Sequence, residues 1–474
     1  MAELLEPDIC VIGAGSGGLS VAAAAAQFGV DVVLIEKGKM GGDCLNTGCV
    51  PSKAMIASGK VAHMMRDAGK FGIASVRPRV DPASVHAHIH GVIGAIAPLD
   101  SVERFTGLGV HVIEAEGRFV DRKTVTAGDY EIRARRFVVA TGSSPGTPPI
   151  PGLDKVPFFT NETIFDNNKA LEHLMIIGGG PIGMELAQAH RRLGAKVTVL
   201  EAFTPLGKDD PELTAIVLKQ LESEGIDIRA GIRIERMEKD RTGVRAVITQ
   251  DGKERVIEAS HLLVAAGRQP NVEGLGLEEA GIEFDRKGIK VTPGLKTTNK
   301  HVYAIGDIAG GLQFTHMANY HAGIVIRNAL FRLPVKVDSS IIPWVTYTDP
   351  ELAHVGMTEE QAREKHKHIR VLRWPYAEND RAQAEHATQG MIKVVTAKRG
   401  RILGATIVGE HAGELIQLWV MAMSKKMKIG AITSIVFAYP TLSEISKRAA
   451  YQYYAPSLTN PNIRRIIGWL RIFG

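Results

Sequence analysis

Short, unbroken apolar runs that end in glycine clusters set the pattern of this chain. Ile9-Cys10-Val11-Ile12, entered from Asp8, is the first such run. Its length and its lack of alternation predict a parallel strand buried on both faces. Gly13-Ala14-Gly15-Ser16-Gly17-Gly18 follows, then an alanine-rich helix over 19–28 and a second strand, Val32-Val33-Leu34-Ile35, ending at Glu36. The same order returns later. Met175-Ile176-Ile177 leads into Gly178-Gly179-Gly180-Pro181-Ile182-Gly183, a helix to 193, and Val197-Thr198-Val199-Leu200 ending at Glu201. Counterparts keep one spacing throughout: Gly13 with Gly178, Gly15 with Gly180, Gly18 with Gly183, Glu36 with Glu201.

Strand, glycine turn, helix, strand and terminal acid, repeated in register, predict two dinucleotide-binding units. The first glycine of each set allows the tight turn, the second lets a pyrophosphate approach the backbone, and the third lets helix and strand pack closely. The helix N-terminus offers free N–H groups to phosphate, and Glu36 and Glu201 are placed to accept from ribose hydroxyls. Two such units imply two cofactors, one passing electrons to the other. Glu201 would repel a 2′-phosphate, and Ala202-Phe203-Thr204-Pro205 offers no arginine to receive one, so NADH is favoured over NADPH.

Composition narrows the class. A chain of 474 residues, 45% hydrophobic and 23% charged, is long enough for roughly three domains with ordinary cores. The net charge of +6 is spread along the chain, too diffuse for a nucleic-acid surface. No apolar stretch reaches the ~18 residues of a spanning helix, and the acidic start runs almost at once into a strand, so a cytoplasmic enzyme is expected. Only three cysteines are present. Cys10 sits inside the first strand and reads as a small buried hydrophobe. Cys44 and Cys49 lie in Gly41-Gly42-Asp43-Cys44-Leu45-Asn46-Thr47-Gly48-Cys49-Val50-Pro51-Ser52-Lys53 and look like a working redox pair. A zinc site would need further ligands at characteristic spacing.

The glycine-framed cysteine pair followed by a second dinucleotide unit resembles the pyridine nucleotide-disulfide oxidoreductases. Further motifs extend the resemblance over essentially the whole chain: Val138-Val139-Ala140-Thr141-Gly142, Val264-Ala265-Ala266-Gly267-Arg268-Gln269-Pro270-Asn271, Val302-Tyr303-Ala304-Ile305-Gly306-Asp307 and Tyr347-Thr348-Asp349-Pro350-Glu351. The implied fold is α/β, with two Rossmann-like domains, for FAD and NAD(P), and a C-terminal α+β dimerisation domain. The expected boundaries are 1–147 for the first FAD segment, 148–272 for the NAD(P) domain, 273–340 for the return to the flavin, and 341–474 for the dimerisation domain with a basic amphipathic tail. The resemblance implies FAD at Gly13, Gly15, Gly18, Glu36, Thr141, Gly142, Gly306 and Asp307. It implies NAD(P)H, with NADH favoured, at Gly178, Gly180, Gly183, Glu201 and Gly267.

It also implies a mechanism. Hydride passes from NADH to FAD, and the flavin reduces a Cys44–Cys49 disulfide, with Cys49 facing the flavin and Cys44 meeting the substrate. Lys53 and Glu185 match the lysine–carboxylate pair beside the flavin. Five positions of regular helix rise about 7.5 Å, too far for a disulfide, whose Cα atoms lie within ~6.8 Å; Gly48 is therefore expected to distort a helix start. The implied homodimer completes each site with the partner's C-terminal domain, through Tyr439 and Glu444. Thiol-disulfide members carry histidine where this chain has Tyr439. Tyrosine, with a pKa near 10, is a poor proton acceptor at neutrality, so weak dihydrolipoamide oxidation is expected. Tyr439 draws the resemblance toward mercuric reductase, although the chain ends Arg471-Ile472-Phe473-Gly474 without a vicinal cysteine pair. Dihydrolipoamide dehydrogenase or a glutathione-reductase-like enzyme is the alternative, and a non-catalytic redox-sensing flavoprotein a third. The substrate is a small molecule, a lipoyl or other thiol, or a metal ion.

Three features carry weaker expectations. His86, His88 and His90 fall on a helix capped by Asp81-Pro82, where only His86 and His90 share a face. No metal site is expected there without a neighbouring carboxylate or thiol. His316 falls where family members approach the flavin. The tail carries Ile463, Ile466, Ile467 and Leu470 at helical spacing among Arg464, Arg465 and Arg471. It is expected to dock on the enzyme's own surface in preference to a weak contact with an anionic membrane.

Overall fold

The computed structural model describes residues 2–241 and 243–474. The first Rossmann unit begins with β1 (Ile9–Ile12), α1 (Ser16–Gln27) and β2 (Val32–Glu36), then the helices α2 (Gly42–Asn46), α3 (Cys49–Asp67) and α4 (Pro82–Ile96), and the strands β3 (Val110–Glu114) and β4 (Arg136–Val139). The second consists of β5 (His173–Ile177), α5 (Pro181–Arg192), β6 (Lys196–Leu200), α6 (Pro211–Ser223), β7 (Ile226–Arg229) and β8 (His261–Val264). The chain then returns through β9 (Val302–Ala304) and α7 (Thr315–Ala329). Antiparallel strands β10 (Pro343–Thr346), β11 (Glu351–Gly356), β12 (Ile369–Pro375), β13 (Met391–Ala397) and β14 (Ile402–Gly409) build the C-terminal domain, which ends in α8 (Glu444–Tyr451) and α9 (Pro461–Leu470).

The first sheet runs β9-β4-β1-β2-β3, all parallel, with Val11 opposite both Leu34 and Val138. The second runs β7-β6-β5-β8, again parallel, with Ile176 opposite Val199 and Leu263. Helices cover both sheets, so every residue of β1 is buried and the strands read as solid apolar runs. β9 joins the edge of the first sheet from far downstream, which closes the first unit only after the second has been inserted. The third sheet, β10-β11-β14-β13-β12, is antiparallel. β14 lies at its centre and is buried throughout. Among the described residues, no helix is long and apolar enough to cross a membrane.

Both glycine-turn helices start earlier than the apolar pattern suggests. α1 opens at Ser16 and α5 at Pro181, with Gly15 and Gly180 as N-caps, so the later glycines of each motif belong to the first helical turn. The Asp81 cap is formed as expected: its side chain accepts from the N–H groups of Ala83 and Ser84, and Pro82 is the first helical residue.

One face of α5 fastens the NAD unit to the C-terminal domain. Gln188 Nε2 donates to the Asp349 carbonyl at 2.8 Å, and the Asp349 N–H returns a bond to Gln188 Oε1 at 2.7 Å. Arg192 lies between Glu224 and Asp349 at 2.7 Å from each. The side chains of Arg192 and Glu224 are only 5% and 7% exposed, so neither ion has water as a substitute partner. Replacing one member of such a group leaves a buried charge unpaired, at a cost of about 3–5 kcal/mol. Arg192→Met should therefore lower the denaturant midpoint by an amount equivalent to that loss. An unchanged midpoint would mean that the triad does not hold the NAD unit to the C-terminal domain.

Candidate active site

The two glycine motifs adopt the same geometry in detail. Gly13 and Gly178 have φ of +104° and +114°, a region glycine enters freely. A Cβ on Gly18 would lie 1.9 Å from the Gly13 carbonyl oxygen, and one on Gly183 would lie 2.0 Å from that of Gly178. Nothing lies within 4 Å of a Cβ built on Gly15 or Gly180, so the space in front of each helix N-terminus is open. Glu36 accepts from the Ala14 N–H at 2.6 Å and the Gly38 N–H at 2.7 Å. Glu201 repeats this with the N–H groups of Gly179 at 2.6 Å and Phe203 at 2.8 Å. Close packing behind, open space in front and a fixed carboxylate suit a dinucleotide at both places.

A continuous cleft of about 2780 Å³ joins them. A single small-molecule pocket occupies about 300–1,000 Å³, so there is room for two dinucleotides. Gly15, Glu36, Thr141, Gly142, Gly306 and Asp307 line the first end. Gly180, Glu201 and Gly267 line the second. Asp307 accepts from the Ser143 hydroxyl; burial pushes its pKa up, against the opposing pull of Ser143 and Arg268. His321, missed in the sequence, supports the same turn by accepting the Gly306 N–H on Nδ1 at 3.1 Å. Burial brings its pKa down to about 4, which keeps the ring neutral.

Cys44 and Cys49 sit midway along the cleft. α2 carries Cys44, α3 begins at Cys49, and the helix is interrupted at Thr47-Gly48. The expected distortion is thus a break between two helices. Gly48 suits the break, because a Cβ there would lie 3.0 Å from the Asp43 carbonyl oxygen and 2.8 Å from Asp43 Oδ2. The break brings the two thiols within hydrogen-bonding reach. Cys49 stands at the N-terminus of α3, and its sulfur lies 3.3 Å from the hydroxyl of Thr315, the first residue of α7. Two positive helix ends thus face one sulfur. The hydrogen bond from Cys44, opposed by burial and aided by Thr315 and Lys53, lowers the Cys49 pKa from 9.0 to about 6. The same bond and burial push Cys44 upward. One thiol of the pair is therefore ionised at neutral pH and the other protonated.

Lys53, one turn along α3, donates to Glu185 Oε2 at 2.7 Å. Burial works against the ammonium, but the Glu185 carboxylate outweighs it and the pKa lies above the ordinary value. Glu185 itself is buried, and its other oxygen accepts the Tyr347 N–H at 2.9 Å. The Lys53 ammonium also lies over the Tyr347 ring, 4.3 Å from its centre. The redox helix, the NAD unit and the C-terminal domain therefore meet at one ion pair.

Sequence reasoning missed Thr315, Asn161 and the role of Asp43. Asn161 donates to Asp43 Oδ1 at 3.0 Å and to the Thr47 carbonyl at 3.1 Å, pinning the interrupted segment. Arg268, noticed only as part of a motif, reaches Asp43 at 3.3 Å. His316 lines the cleft but directs Nε2 to the Pro343 carbonyl at 2.7 Å. Tyr439 and Glu444 do not reach the cleft of their own chain. Tyr439 is 69% exposed and donates to Asp380 at 2.9 Å, which holds its pKa above the ordinary value. Cys10 is fully buried in β1, as expected.

Two further expectations change. His86 and His90 do share a face of α4, with ring centres 4.1 Å apart, but a carboxylate is also present: Asp166 comes to them from a distant turn. The tail does not dock on its own chain. No residue of α9 is buried.

A family model described as pyridine nucleotide-disulphide oxidoreductase matches residues 7–322, and the dimerisation domain of the same family matches 342–450. The chain belongs to this family. It is an FAD- and NAD(P)H-dependent disulfide oxidoreductase by that membership. Mercuric reductase of Lysinibacillus sphaericus is 35% identical over 449 residues, 94% of this chain and 82% of that one. Dihydrolipoyl dehydrogenase of Thermus scotoductus is 35% identical over 465 residues, 94% of this chain and 96% of that one. Among solved structures, the HOCl-induced flavoprotein disulfide reductase RclA of Escherichia coli, as its Cu(II) complex, superposes with a TM-score of 0.83 at 27% identity over 95% of this chain and all of that one. LpdA of Mycobacterium tuberculosis gives 0.87 at 26% over 94% of this chain and all of that one.

The thiol geometry makes a direct prediction. The pH profile of Cys49 alkylation by iodoacetamide in the reduced enzyme should have its midpoint near 6. Cys44→Ala removes the largest favourable contribution and should move the midpoint up by a unit or more, with Lys53→Met giving a smaller rise. A wild-type midpoint at the ordinary thiol value of about 8.5 would overturn this assignment.

Proposed function

We propose that this chain is an NADH-driven disulfide reductase of the lipoyl dehydrogenase and RclA kind, working as a homodimer and passing electrons outward from Cys44 and Cys49. The observation that carries the reading is the Cys49 sulfur held among Cys44, Thr315 and the Lys53 ammonium, with Glu185 fixing the lysine. Bound FAD supplies the two-electron relay between nicotinamide and disulfide. The chain's own residues do the rest. Lys53 keeps a positive charge at the inner thiol, so Cys49 can be released as thiolate when the disulfide opens. Cys44 keeps its proton and faces the acceptor. In balance, NADH and a disulfide give NAD⁺, the Cys44 thiol and the Cys49 thiolate, and the acceptor then takes the electron pair as Cys44 and Cys49 close again.

Glu201 supports NADH over NADPH, because a carboxylate ending the second strand of the unit repels a 2′-phosphate. Lys208 also lines this end of the cleft. A homodimer is supported by the matched dimerisation domain and by the uncovered turn at Val436 and Tyr439, 92% and 69% exposed. In that assembly Tyr439 and Glu444 of one protomer close the site of its partner. The solved neighbours and the full-length lipoyl dehydrogenase matches shift the balance away from mercury as substrate. With three cysteines in the chain, there is no second pair to hand a metal ion to Cys44 and Cys49. Tyr439 supports the outward direction, since a phenol that holds its proton is a poor base for oxidising a dithiol.

Three outcomes test this reading. Wild-type enzyme should reduce small disulfides with kcat/KM at least tenfold higher for NADH than for NADPH, and Cys44→Ser should abolish that turnover. Equal use of the two cofactors would remove the role given to Glu201, and surviving turnover would remove that of Cys44. Tyr439→His should raise dihydrolipoamide oxidation by roughly 10²-fold, the usual contribution of a general base; no gain would show that residue 439 does not face the substrate.

A further inference from the structure

We propose that His86, His90 and Asp166 form a divalent transition-metal site separate from the redox cleft. None of the three lines that cleft. Their ligand atoms lie within 4.8 Å of one another. His90 Nε2 stands 3.5 Å from Asp166 Oδ1. Ligands bound at about 2.1 Å around a tetrahedral ion are separated by roughly 3.4 Å, so this edge already fits. His86 and His90 are one helical turn apart on α4, and their rings lie 4.1 Å apart, tilted by 41°. His90 Nε2 is shielded from solvent and makes no hydrogen bond. A shielded nitrogen aimed at a carboxylate and beside a second imidazole suits a metal better than it suits water.

Two neutral imidazoles and one carboxylate select a borderline ion such as Zn(II), Co(II) or Ni(II), with a water completing the coordination. The site would also connect distant parts of the chain. Asp166 lies on the turn Ile164–Asp166, a few residues after Asn161, which pins the segment between Cys44 and Cys49. A bound ion would tie α4 to that turn.

The test uses FAD-loaded, full-length protein with Cys44 and Cys49 both changed to serine, so that no accessible thiol competes, Cys10 being buried. Titration with Co(II), followed by its visible absorption, should show saturable stoichiometric binding, and Zn(II) should displace it. His90→Gln and Asp166→Asn in this background should each weaken binding by about 100-fold or more, with the metal-free unfolding midpoint unchanged. Amide exchange over residues 160–167 should slow when Zn(II) is added and should not slow in His90→Gln. Absence of saturable binding, or equal binding by the His90 and Asp166 variants, overturns the site. Because the protein in this test cannot turn over, its outcome is independent of the disulfide-reductase reading.

A different observation points to a second surface. We infer that α9 and the turn after it bind an anionic lipid bilayer. Ile466, Ile467, Trp469, Leu470, Ile472 and Phe473 are all at least half exposed. Arg464, Arg465 and Arg471 flank them, and no acidic residue occurs anywhere from 445 to 474. The segment also lies beyond the matched dimerisation domain, which ends at 450. An apolar face with an unopposed basic border fits an anionic interface. Full-length enzyme should sediment with phosphatidylcholine vesicles containing phosphatidylglycerol and stay in solution with phosphatidylcholine alone. Arg464→Glu with Arg465→Glu should reduce the bound fraction at least tenfold. Equal partitioning of the two proteins overturns the inference, as does tail-dependent self-association with no vesicle binding.

Discussion

The Lys53–Glu185 ion pair is the contact on which the arrangement of this molecule depends. Its lysine stands one turn from Cys49, on the helix that begins at the redox pair. Its carboxylate sits on the first helix of the NAD unit and accepts a backbone N–H from the C-terminal domain at Tyr347. Because Glu185 is almost completely buried, it cannot replace these partners with water. The ion pair therefore fixes three units against one another and sets the charge beside the inner sulfur with the same atoms. Gln188 and Arg192, further along the same helix, extend that connection to Asp349.

Electrons need two binding ends and a junction, and the fold supplies them by repeating one unit. The repeated turn is reproduced down to the paired backbone donors on Glu36 and Glu201. The junction is where the repeat diverges: the second unit crosses from β6 to β7 by the single helix α6, whereas the first crosses from β2 to β3 through α2 and α3, whose interruption at Gly48 brings two sulfurs together. Their opposite pKa displacements follow from that closeness, since one proton is shared in a bond that favours the inner thiolate. Lys53 and Thr315 add to the same preference.

How much of this could be read from the sequence depends on range. The glycine turns, the acids that end each second strand and the need for Gly48 are local, and steric rules that act over a few residues fix them. Lys53 and Glu185 were legible only through the family resemblance, because they are distant in sequence and nothing local pairs them. Thr315, Asn161 and Asp166 were not legible. Each is an ordinary polar residue whose meaning comes from a tertiary approach of another element. The tail shows the converse. Its amphipathic pattern was plain, but no residue of the helix is buried, so the expected docking does not occur. Tyr439 and Glu444 lie outside the cleft of a single chain, and the role proposed for them needs a neighbouring protomer.

The central claim is that electrons from the nicotinamide end arrive at Cys44 and Cys49. It is tested most directly by adding one equivalent of NADH to oxidised holoenzyme without oxygen, then alkylating and mapping the cysteines by mass. The expected result is modification of both Cys44 and Cys49, with Cys10 protected by its burial in β1. Consumption of NADH with the Cys44–Cys49 bond intact would contradict the claim.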